Sequence, residues 1–506
     1  MNAVEPRLTM NHARHRAARA VLAALLVGAL AGCAVGPDYR APEADVPAQW
    51  IGHGTQQAGH ADLQRWWTRL DDPLLNTLIE EAVRGNLDVA TADARVREAR
   101  AVLRQAGGAL WPSLTGGAAL TRSGAGPTAA SSGSSGSASS GSGSDTSSLG
   151  ALAGTGPSNL FRAGFDASWE IDVFGGNRRA LEAARGGLDA AQWDWRAAQL
   201  TLIGDVTTRY VEARGYQARL ALARATADAQ QETARLTEVR HAAGSTSGLD
   251  TANATGEAQS TQAAIPALEA AYAESVHSLS VLTGRAPGAL LERLDAPRAV
   301  PAPSVPVALG VPADVLLARP DVRAAERRYA QSTARVGQAE AARYPRVTLT
   351  GSLSTSGTQF GDLARHSSIG WSIGPSVTIP LFDAGRLKAA VEIADAQRDQ
   401  SFIAYRSAVL TALNDVENAS VSLARESERV QSLQRSADAY RSAAAIAQSL
   451  YRSGSTGFLE VLTAERSLYA AQDALIQSRV LIATNYIALN KALGGGWDGD
   501  AGATPE

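Results

Sequence analysis

The side chains best suited to covalent, metal or acid–base chemistry are few in this chain of 506 residues. There is one cysteine, Cys33, which excludes a disulfide within the chain and any cysteine-based metal site. None of the seven histidines has the spacing of metal ligands, and no His-Glu-x-x-His motif is present. No P-loop and no dinucleotide-binding glycine fingerprint opens a helix. We therefore expect no catalytic residues, no metal site and no cofactor, and we do not expect an enzyme.

The overall composition excludes two further classes of protein. Lysine plus arginine number 47 and aspartate plus glutamate number 50, so the chain has no basic excess for binding nucleic acid. An apolar share of 45% is normal for a folded protein and excludes a wholly disordered chain. The low aromatic share, 5%, and the abundance of alanine favour long helices that pack closely.

Cys33 lies at the end of an N-terminal export signal. A basic region that includes Arg14, Arg16 and Arg19 precedes the apolar stretch Ala20–Leu30, which is too short to span a bilayer stably. The stretch ends in Leu-Ala-Gly-Cys, which resembles the lipobox of bacterial lipoproteins. That resemblance implies cleavage before Cys33, a diacylglycerol on its sulfur and an acyl chain on its new amino group. The alternative is a plain secreted protein with an incidental cysteine.

The rest of the sequence contains two copies of one pattern. Each copy predicts, in order, a helix, a strand, a loop, a strand, a long helix, a turn and a second helix. The matching segments are Trp111–Leu114 with Tyr344–Val347, Ile171–Arg178 with Ile379–Arg386, Ala243–Asp250 with Ser453–Glu460, and Leu282–Gly284 with Ala492–Gly494. Between the copies, residues 287–312 contain six prolines and are predicted to be a linker.

Four segments alternate apolar and polar residues with the period of a β-strand. The segments are 114–120, 161–173, 347–354 and 369–381. Their lengths suit tilted membrane-spanning strands, and their polar faces of Ser, Thr, Gly and Asp suit a water-filled lumen. Because proline cannot donate to a ladder, Pro375 and Pro380 are expected to lie near the ends of the fourth strand or to distort it locally. A soluble antiparallel sheet with one buried face is the alternative.

Four strands are too few to close a barrel. About eight are needed to enclose a filled interior, and an open edge in lipid leaves unpaired backbone groups that cost several kcal/mol each. A chain with four strands must therefore share its barrel with other copies. Two copies would supply eight strands and three would supply twelve, and this argument leaves both open. The Ser/Gly-rich residues 123–158 between the first two strands are predicted to form a flexible external loop.

The helical segments are unusually long. The 68 residues 386–453 contain neither glycine nor proline, enough for roughly 100 Å of continuous helix. Residues at steps of seven form two mostly apolar rows along this segment, one from Val409 to Tyr451 and one from Ala412 to Ala447. The rows form the seam of a predicted coiled coil, and Glu426 is the one charged residue in it. A coiled-coil rod is the alternative, but it leaves the strands unexplained.

The combination of these motifs resembles one family. The matching residues are Gly32–Tyr39, Trp67 with Asp72–Leu74, Asn86–Asp88, Pro312–Glu326, Pro380–Arg386, and Gly454 with Phe458–Leu462. Together they resemble the TolC-like outer-membrane efflux channels, and most closely the NodT-type lipoprotein branch that serves tripartite resistance-nodulation-division (RND) pumps. The resemblance covers nearly all of residues 30–496. The chain departs from it in the Ser/Gly-rich insertion and at Ser247-Gly248, which replaces the Gly457-Phe458 of the second copy.

This resemblance implies a mixed α and β membrane protein that forms a homotrimer. Four strands per protomer would form a 12-stranded outer-membrane β-barrel, continuous with a periplasmic 12-helix α-barrel that carries an equatorial collar. The implied segments are a signal peptide (1–32), an acylated collar segment (33–65), the first repeat (66–286), a proline-rich collar linker (287–312), the second repeat (313–493) and a flexible tail (494–506).

The implied function is that of a passive channel anchored by lipid in the outer membrane and extending into the periplasm. A periplasmic adaptor and an inner-membrane RND pump would supply the energy and the cargo, which would be drugs or other small toxic compounds. The alternatives are the channel of another exporter, for type I secretion or metal ions, and a structural periplasmic lipoprotein without a pore. The chain has only two methionines, so a methionine-lined copper or silver path is not expected.

The resemblance also implies a gate at the periplasmic tips of two helix hairpins, 241–248 and 451–458. Gly244 and Gly454 are expected to permit the tight reversals, and with Ser245 and Ser455 to dock the helical hairpin of the adaptor.

Four further residues near the tips are candidates for the aperture. Asp250 and Glu460 occupy matching positions and, repeated by threefold symmetry, are expected to form acidic rings that favour cations over anions. Tyr451 and Arg452 are expected to tie neighbouring helices together in the closed state, as the aperture contacts of the family do. An ordinary solvated helix end is the alternative for all four.

Overall fold

The computed structural model describes residues 34–43, 46–47, 50, 64–124, 157–303, 315 and 319–496. The expected signal peptide, Cys33, most of the Ser/Gly-rich segment, the end of the proline-rich linker and the tail from residue 497 lie outside the described residues. Two compact units are present. Among the described residues, the sheet unit comprises residues 34–38, 102–124, 157–184 and 333–396, and the helical unit comprises residues 39–43, 46–47, 50, 64–101, 185–303, 315, 319–332 and 397–496.

The described helices and strands alternate as the two-copy pattern predicts. Their order is α1 (Pro73–Gly85), α2 (Leu87–Gly108), β1 (Ser113–Ser123), β2 (Ser158–Ile171), α3 (Gly176–Ala242), α4 (Gly248–Leu282), α5 (Leu291–Leu294), α6 (Pro320–Ala341), β3 (Arg346–Gly357), β4 (Ile369–Thr378), α7 (Arg386–Arg452) and α8 (Phe458–Ala492). None of these helices carries an apolar stretch that is long enough to cross a membrane.

The two long helical hairpins have the same dimensions. α3 and α7 each have 67 residues, and α4 and α8 each have 35. α7 and α8 begin and end 210 residues after α3 and α4, as Arg386 follows Gly176 and Ala492 follows Leu282. The internal repeat is therefore present in the helix boundaries as well as in the sequence motifs.

The sheet has the order β1-β2-β3-β4, with every neighbouring pair antiparallel. Within the described residues, the outer edges of β1 and β4 have no partner strand. Pro380 lies beyond the end of β4, but Pro375 lies inside it, opposite Leu349. The expectation that both prolines lie near the strand ends therefore holds for Pro380 only, and Pro375 lies inside the strand, where its nitrogen has no N–H to donate to the ladder.

The register separates the residues of the sheet into an apolar and a polar face. Gly116, Phe165, Leu353 and Trp371 form one row across the four strands, and the Trp371 side chain is 76% exposed. The adjacent row, on the opposite face, is polar and consists of Thr115, Asp166, Ser352 and Ser372. The sheet therefore presents an apolar surface on one side and hydroxyl and carboxylate groups on the other.

The core of the helical unit gathers around the fully buried Trp66. α1 contributes one apolar face to it, because Leu75, Leu78, Ile79 and Ala82 recur at helical spacing. α3, α4 and α8 contribute Val206, Tyr210, Val276, Leu279 and Ile487. Leu290 and Leu294, which belong to or flank α5, are also fully buried in this core. The first part of the predicted linker is thus packed against the repeat helices.

The predicted heptad seam of α7 is buried along much of its length. Val416 and Ala437 are fully buried, but Tyr440, which the second row places in the seam, is 42% exposed in this chain. Glu426 is accommodated on α7 by hydrogen bonds, since its carboxylate accepts from the Ser478 hydroxyl at 2.5 Å and from Arg429 at 3.1 Å. The hydrogen bond between Ser478 and Glu426 therefore joins α8 to α7.

Candidate functional site

The first hairpin tip, between α3 and α4, is closed by a glycine turn. The Gly244 amide donates to the carbonyl oxygen of His241 at 2.9 Å, and the Ser245 amide donates to that of Arg240 at 2.9 Å. Gly244 has a φ of +75°, in the left-handed region that L side chains rarely adopt. This pair of bonds satisfies the last carbonyl groups of α3 and reverses the chain.

The second tip, between α7 and α8, has the same turn. The Gly454 amide donates to the Tyr451 carbonyl oxygen at 3.1 Å, and the Ser455 amide donates to that of Leu450 at 2.9 Å. Gly454 also has a φ of +75°. Ser245 and Ser455 are both exposed at the turns. The structure thus places all four predicted docking residues in two equivalent reversals.

The first tip is fastened by a capping box at the start of α4. The Ser247 hydroxyl accepts from the Asp250 amide at 3.1 Å, and the Asp250 carboxylate accepts from the Ser247 amide at 3.3 Å and from the Thr246 hydroxyl at 2.8 Å. The hydrogen bonds from Thr246, and then those from Ser247, lower the pKa of Asp250 below its usual value. Asp250 is therefore a capping residue that stays ionised.

The second tip is fastened differently. The N-cap of α8 is Gly457, which supplies no side-chain hydrogen bond. Phe458, at the position that corresponds to Gly248, is buried with Ala254 and Leu462. An apolar anchor thus takes the place of the capping box, which gives a physical reason for the difference between the two tip sequences.

Glu460 matches Asp250 in sequence position but not in environment. Its side chain is exposed, and its carboxylate has no hydrogen-bond or ion-pair partner among the described residues. Arg452 is also exposed, and it forms no ion pair within the described part of the chain. The predicted tie through Arg452 is therefore not present within this one copy.

Tyr451 joins three helices at the tips. The Arg240 guanidinium of α3 lies 4.7 Å from the centre of the Tyr451 ring, which favours a cation–π interaction. The Tyr451 and Phe458 rings lie 5.7 Å apart. The Tyr451 hydroxyl is buried and has no hydrogen-bond partner among the described residues. Sequence reasoning identified Tyr451 but missed Arg240.

A cavity of about 260 Å³ lies beside Tyr451, between α3, α7 and α8. Its lining includes Arg240, Arg452 and Glu465. Burial is the largest cause that raises the pKa of Glu465, whose carboxylate accepts a hydrogen bond from Gln448 at 2.8 Å. Sequence reasoning missed Glu465, although it lies one heptad after Phe458 and so belongs to the buried side of α8.

Two ion pairs join α8 to the first hairpin. Arg466 of α8 pairs with Glu257 of α4, and Arg219 of α3 donates to Asp473 of α8 at 2.6 Å. Both pairs hold the two hairpins together. Across the described residues there is no group of three or more His, Cys, Asp or Glu side chains that could hold a metal ion.

A helix–strand–strand–helix–helix unit that occurs twice, with a four-stranded sheet and two matched hairpin tips, agrees with a known family. The family model for the outer membrane efflux protein (OEP) matches residues 78–285 and 311–495. The chain belongs to this family.

Individual relatives match over nearly their whole lengths. Nodulation protein T of Rhizobium leguminosarum bv. trifolii is 35% identical over 474 residues, which are 93% of this chain and 96% of the relative. The pyoverdine export outer membrane protein OpmQ of Pseudomonas aeruginosa is 31% identical over 481 residues, 95% of this chain and 97% of the relative. The solved structure of the outer-membrane channel OprN is 34% identical with a TM-score of 0.82, and the match covers 92% of this chain and all of that one.

Three expectations drawn from the sequence are confirmed by this membership. The chain has the mixed α and β fold of a TolC-like channel. It is the outer-membrane channel component of a tripartite efflux pump, of the NodT type. It is located in the outer membrane and extends into the periplasm. The relatives are efflux channels and not enzymes.

Proposed function

We propose that three copies of the chain assemble into one channel that conducts cargo passively. The open edges of β1 and β4 support this assembly, because a sheet with open edges cannot stay unpaired in lipid. Joining these edges between neighbouring copies gives a 12-stranded barrel. The polar face of each sheet would then line a water-filled path, and the apolar face would meet lipid.

A stripe of exposed apolar side chains on α7 also supports assembly. Ile403, Leu410 and Val421 are 65%, 62% and 48% exposed, and their steps of 7 and 11 residues place them on one side of the helix. Such a stripe costs free energy in water and is stabilised when another helix covers it. In the trimer, a helix of the neighbouring copy would cover this stripe, and the α-barrel would continue from one copy to the next.

The partners at the periplasmic end would be the helical hairpins of a membrane-fusion adaptor, which connects the channel to an RND-type pump. The small residues Gly244, Ser245, Gly454 and Ser455 line the two reversals. Leu249 and Leu459, at matching positions beside them, are 69% and 61% exposed. Small and exposed apolar residues that repeat at both tips suit docking of apolar helices.

Transport requires no bond making or breaking by this chain, so we infer a channel without enzymatic activity or a catalytic cofactor. The pump supplies the energy, and the cargo is a class of small organic compounds that includes drugs. The name of the relative OpmQ, a pyoverdine export protein, supports an organic cargo. Channels for type I secretion or metal-ion efflux remain the alternatives.

Bilayer recording from the purified full-length protein tests the channel itself. We expect heat-labile trimers in detergent and ion-conducting events after reconstitution. A monomer that does not bind lipid and does not conduct would refute the proposal. Labelled palmitate should be incorporated into the native chain and not into Cys33→Ser, since lipidation at Cys33 is part of the proposal.

The tips form the gate in this proposal, with Asp250 and Glu460 as acidic rings and Tyr451 and Arg452 as contacts between helices. The double variant Asp250→Ala plus Glu460→Ala should lower the ratio of cation to anion permeability, because six carboxylates leave the trimer aperture. The matched control removes two exposed carboxylates of α2, Asp88→Ala plus Glu98→Ala, and should keep the native ratio. An unchanged ratio in the tip variant would refute the assignment of these residues.

A further inference from the structure

The segment Ala34–Asp38, here called the N-terminal strap, lies against the junction between β2 and α3. The Val35 amide donates to the carbonyl oxygen of Phe174 at 3.2 Å. Gly175, at a φ of +81°, packs directly on the strap, because an added Cβ there would lie 2.9 Å from the Ala34 Cα. Only a glycine lets the strap approach the backbone this closely.

Arg179, one turn into α3, makes most of the polar contacts with the strap. Its side chain is only 5% exposed. Its guanidinium donates to the carbonyl oxygens of Val35 and Gly36, each at 3.2 Å, and to the Asp38 carboxylate at 2.8 Å. One further bond runs to Glu182 at 2.8 Å. A buried guanidinium is costly unless it is paired, and three of these four bonds depend on the strap.

The strap also packs against α6, which belongs to the second repeat. A Cβ added to Gly36 would clash with the Gly337 Cα, and a Cβ added to Gly337 would lie 2.8 Å from the Arg179 Nε. Gly36 has a φ of +90°. The strap therefore fits a slot whose walls are α3 and α6, and both crossing points require glycine.

The second repeat has no equivalent slot among the described residues. The residue 210 positions after Arg179 is Ala389, which carries no charge. Gly385, which directly precedes α7 as Gly175 directly precedes α3, has a φ of +85°, but nothing lies within 4 Å of an added Cβ. The turn itself can therefore form without a charged side chain like that of Arg179 and without a segment packed on its glycine.

We propose that Arg179 is a positioning residue that fixes the acylated end of the chain at the β2–α3 junction. Because Cys33 is joined directly to Ala34, a docked strap determines where on the protein the lipid is attached. The lipid then enters the membrane beside the sheet and not at the end of a free tether. This inference rests on the proposed lipidation of Cys33.

Hydrogen exchange of the strap, measured by mass spectrometry on the full-length protein in detergent, tests the inference. In Arg179→Gln and in Gly36→Ala, the Val35 amide, which donates to Phe174, should exchange about tenfold faster or more, because the contacts that hold the strap in place are lost. The matched controls are Arg185→Gln, an exposed arginine further along α3, and Gly256→Ala, a helical glycine with open space around it. Both controls should keep the native rate.

Three outcomes decide whether Arg179 holds the strap. Native exchange in both strap variants would overturn the proposal, and if Arg179→Gln does not fold, Gly36→Ala alone decides. Fast exchange of the strap in Cys33→Ser would also overturn it, since the lipid and not Arg179 would then hold the strap. Slow exchange in Cys33→Ser supports it. Failure of the channel proposal is seen separately, as an absence of conductance in the native protein.

Discussion

Replacing Phe458 with alanine should loosen the second hairpin tip. The Phe458 side chain is 3% exposed and packs on Ala254, Leu462 and the Tyr451 ring. Because Gly457 gives α8 no side-chain cap, this packing takes the place of a capping box at the tip. Truncating a buried phenylalanine costs about 3–5 kcal/mol. If that cost falls on local opening, amide exchange at the tip accelerates at least about a hundredfold.

The neighbouring residue offers a matched control for this variant. Leu459 is 61% exposed, so Leu459→Ala should change the free energy of opening by less than about 0.5 kcal/mol and exchange by about twofold. Hydrogen exchange of peptides that cover 449–465 and 240–255 reports both tips in one sample. Equal effects of the two variants, or equal loosening of the first tip in Phe458→Ala, would refute the reasoning.

The remaining predictions concern the caps and turns of the tips, with the same exchange measurement. Ser247→Ala should weaken the first tip by about 1 kcal/mol, because the capping box is lost, and leave the second unchanged. Since the folded pKa of Asp250 lies below its unfolded value, the capping contribution is complete above about pH 4 and is lost as the pH falls further. A first tip whose amides are unprotected at pH 7, or whose protection from exchange does not fall below about pH 4, would contradict this. Gly454→Ala should cost about 1–2 kcal/mol through left-handed backbone strain alone, as the space around it is open. Gly256→Ala, inside α4 and also open, should instead stabilise its helix by about 0.5–1 kcal/mol, and a loss of stability there would contradict the same argument.

Local patterns in the sequence predicted the elements of the fold well. The absence of glycine and proline from residues 386–453 predicts α7, which ends one residue earlier, at Arg452. Alternation at Phe165 and Asp166 predicts opposite faces of β2, and the register places them in an apolar and a polar row. These features depend on backbone propensity and on periodic burial, which neighbouring residues encode.

Contacts between distant elements could not be predicted in the same way. The pairing of Arg240 with Tyr451 and the burial of Glu465 depend on how two hairpins pack, which no local period specifies. Leu290 looked like part of a linker because prolines surround it, although its side chain is fully buried. The glycines of the strap slot, such as Gly337, resemble any other helical glycine until the crossing segment is seen.

The equal lengths of the paired helices restrict how this protein can change. Inserting a single residue into α3 would turn everything beyond it by about 100° and move its tip by about 1.5 Å. The Arg240 guanidinium would then leave the Tyr451 ring, and α7 would need the same insertion to restore the match. A change in the length of the long helices that keeps this contact therefore requires matched insertions or deletions in both halves of the gene.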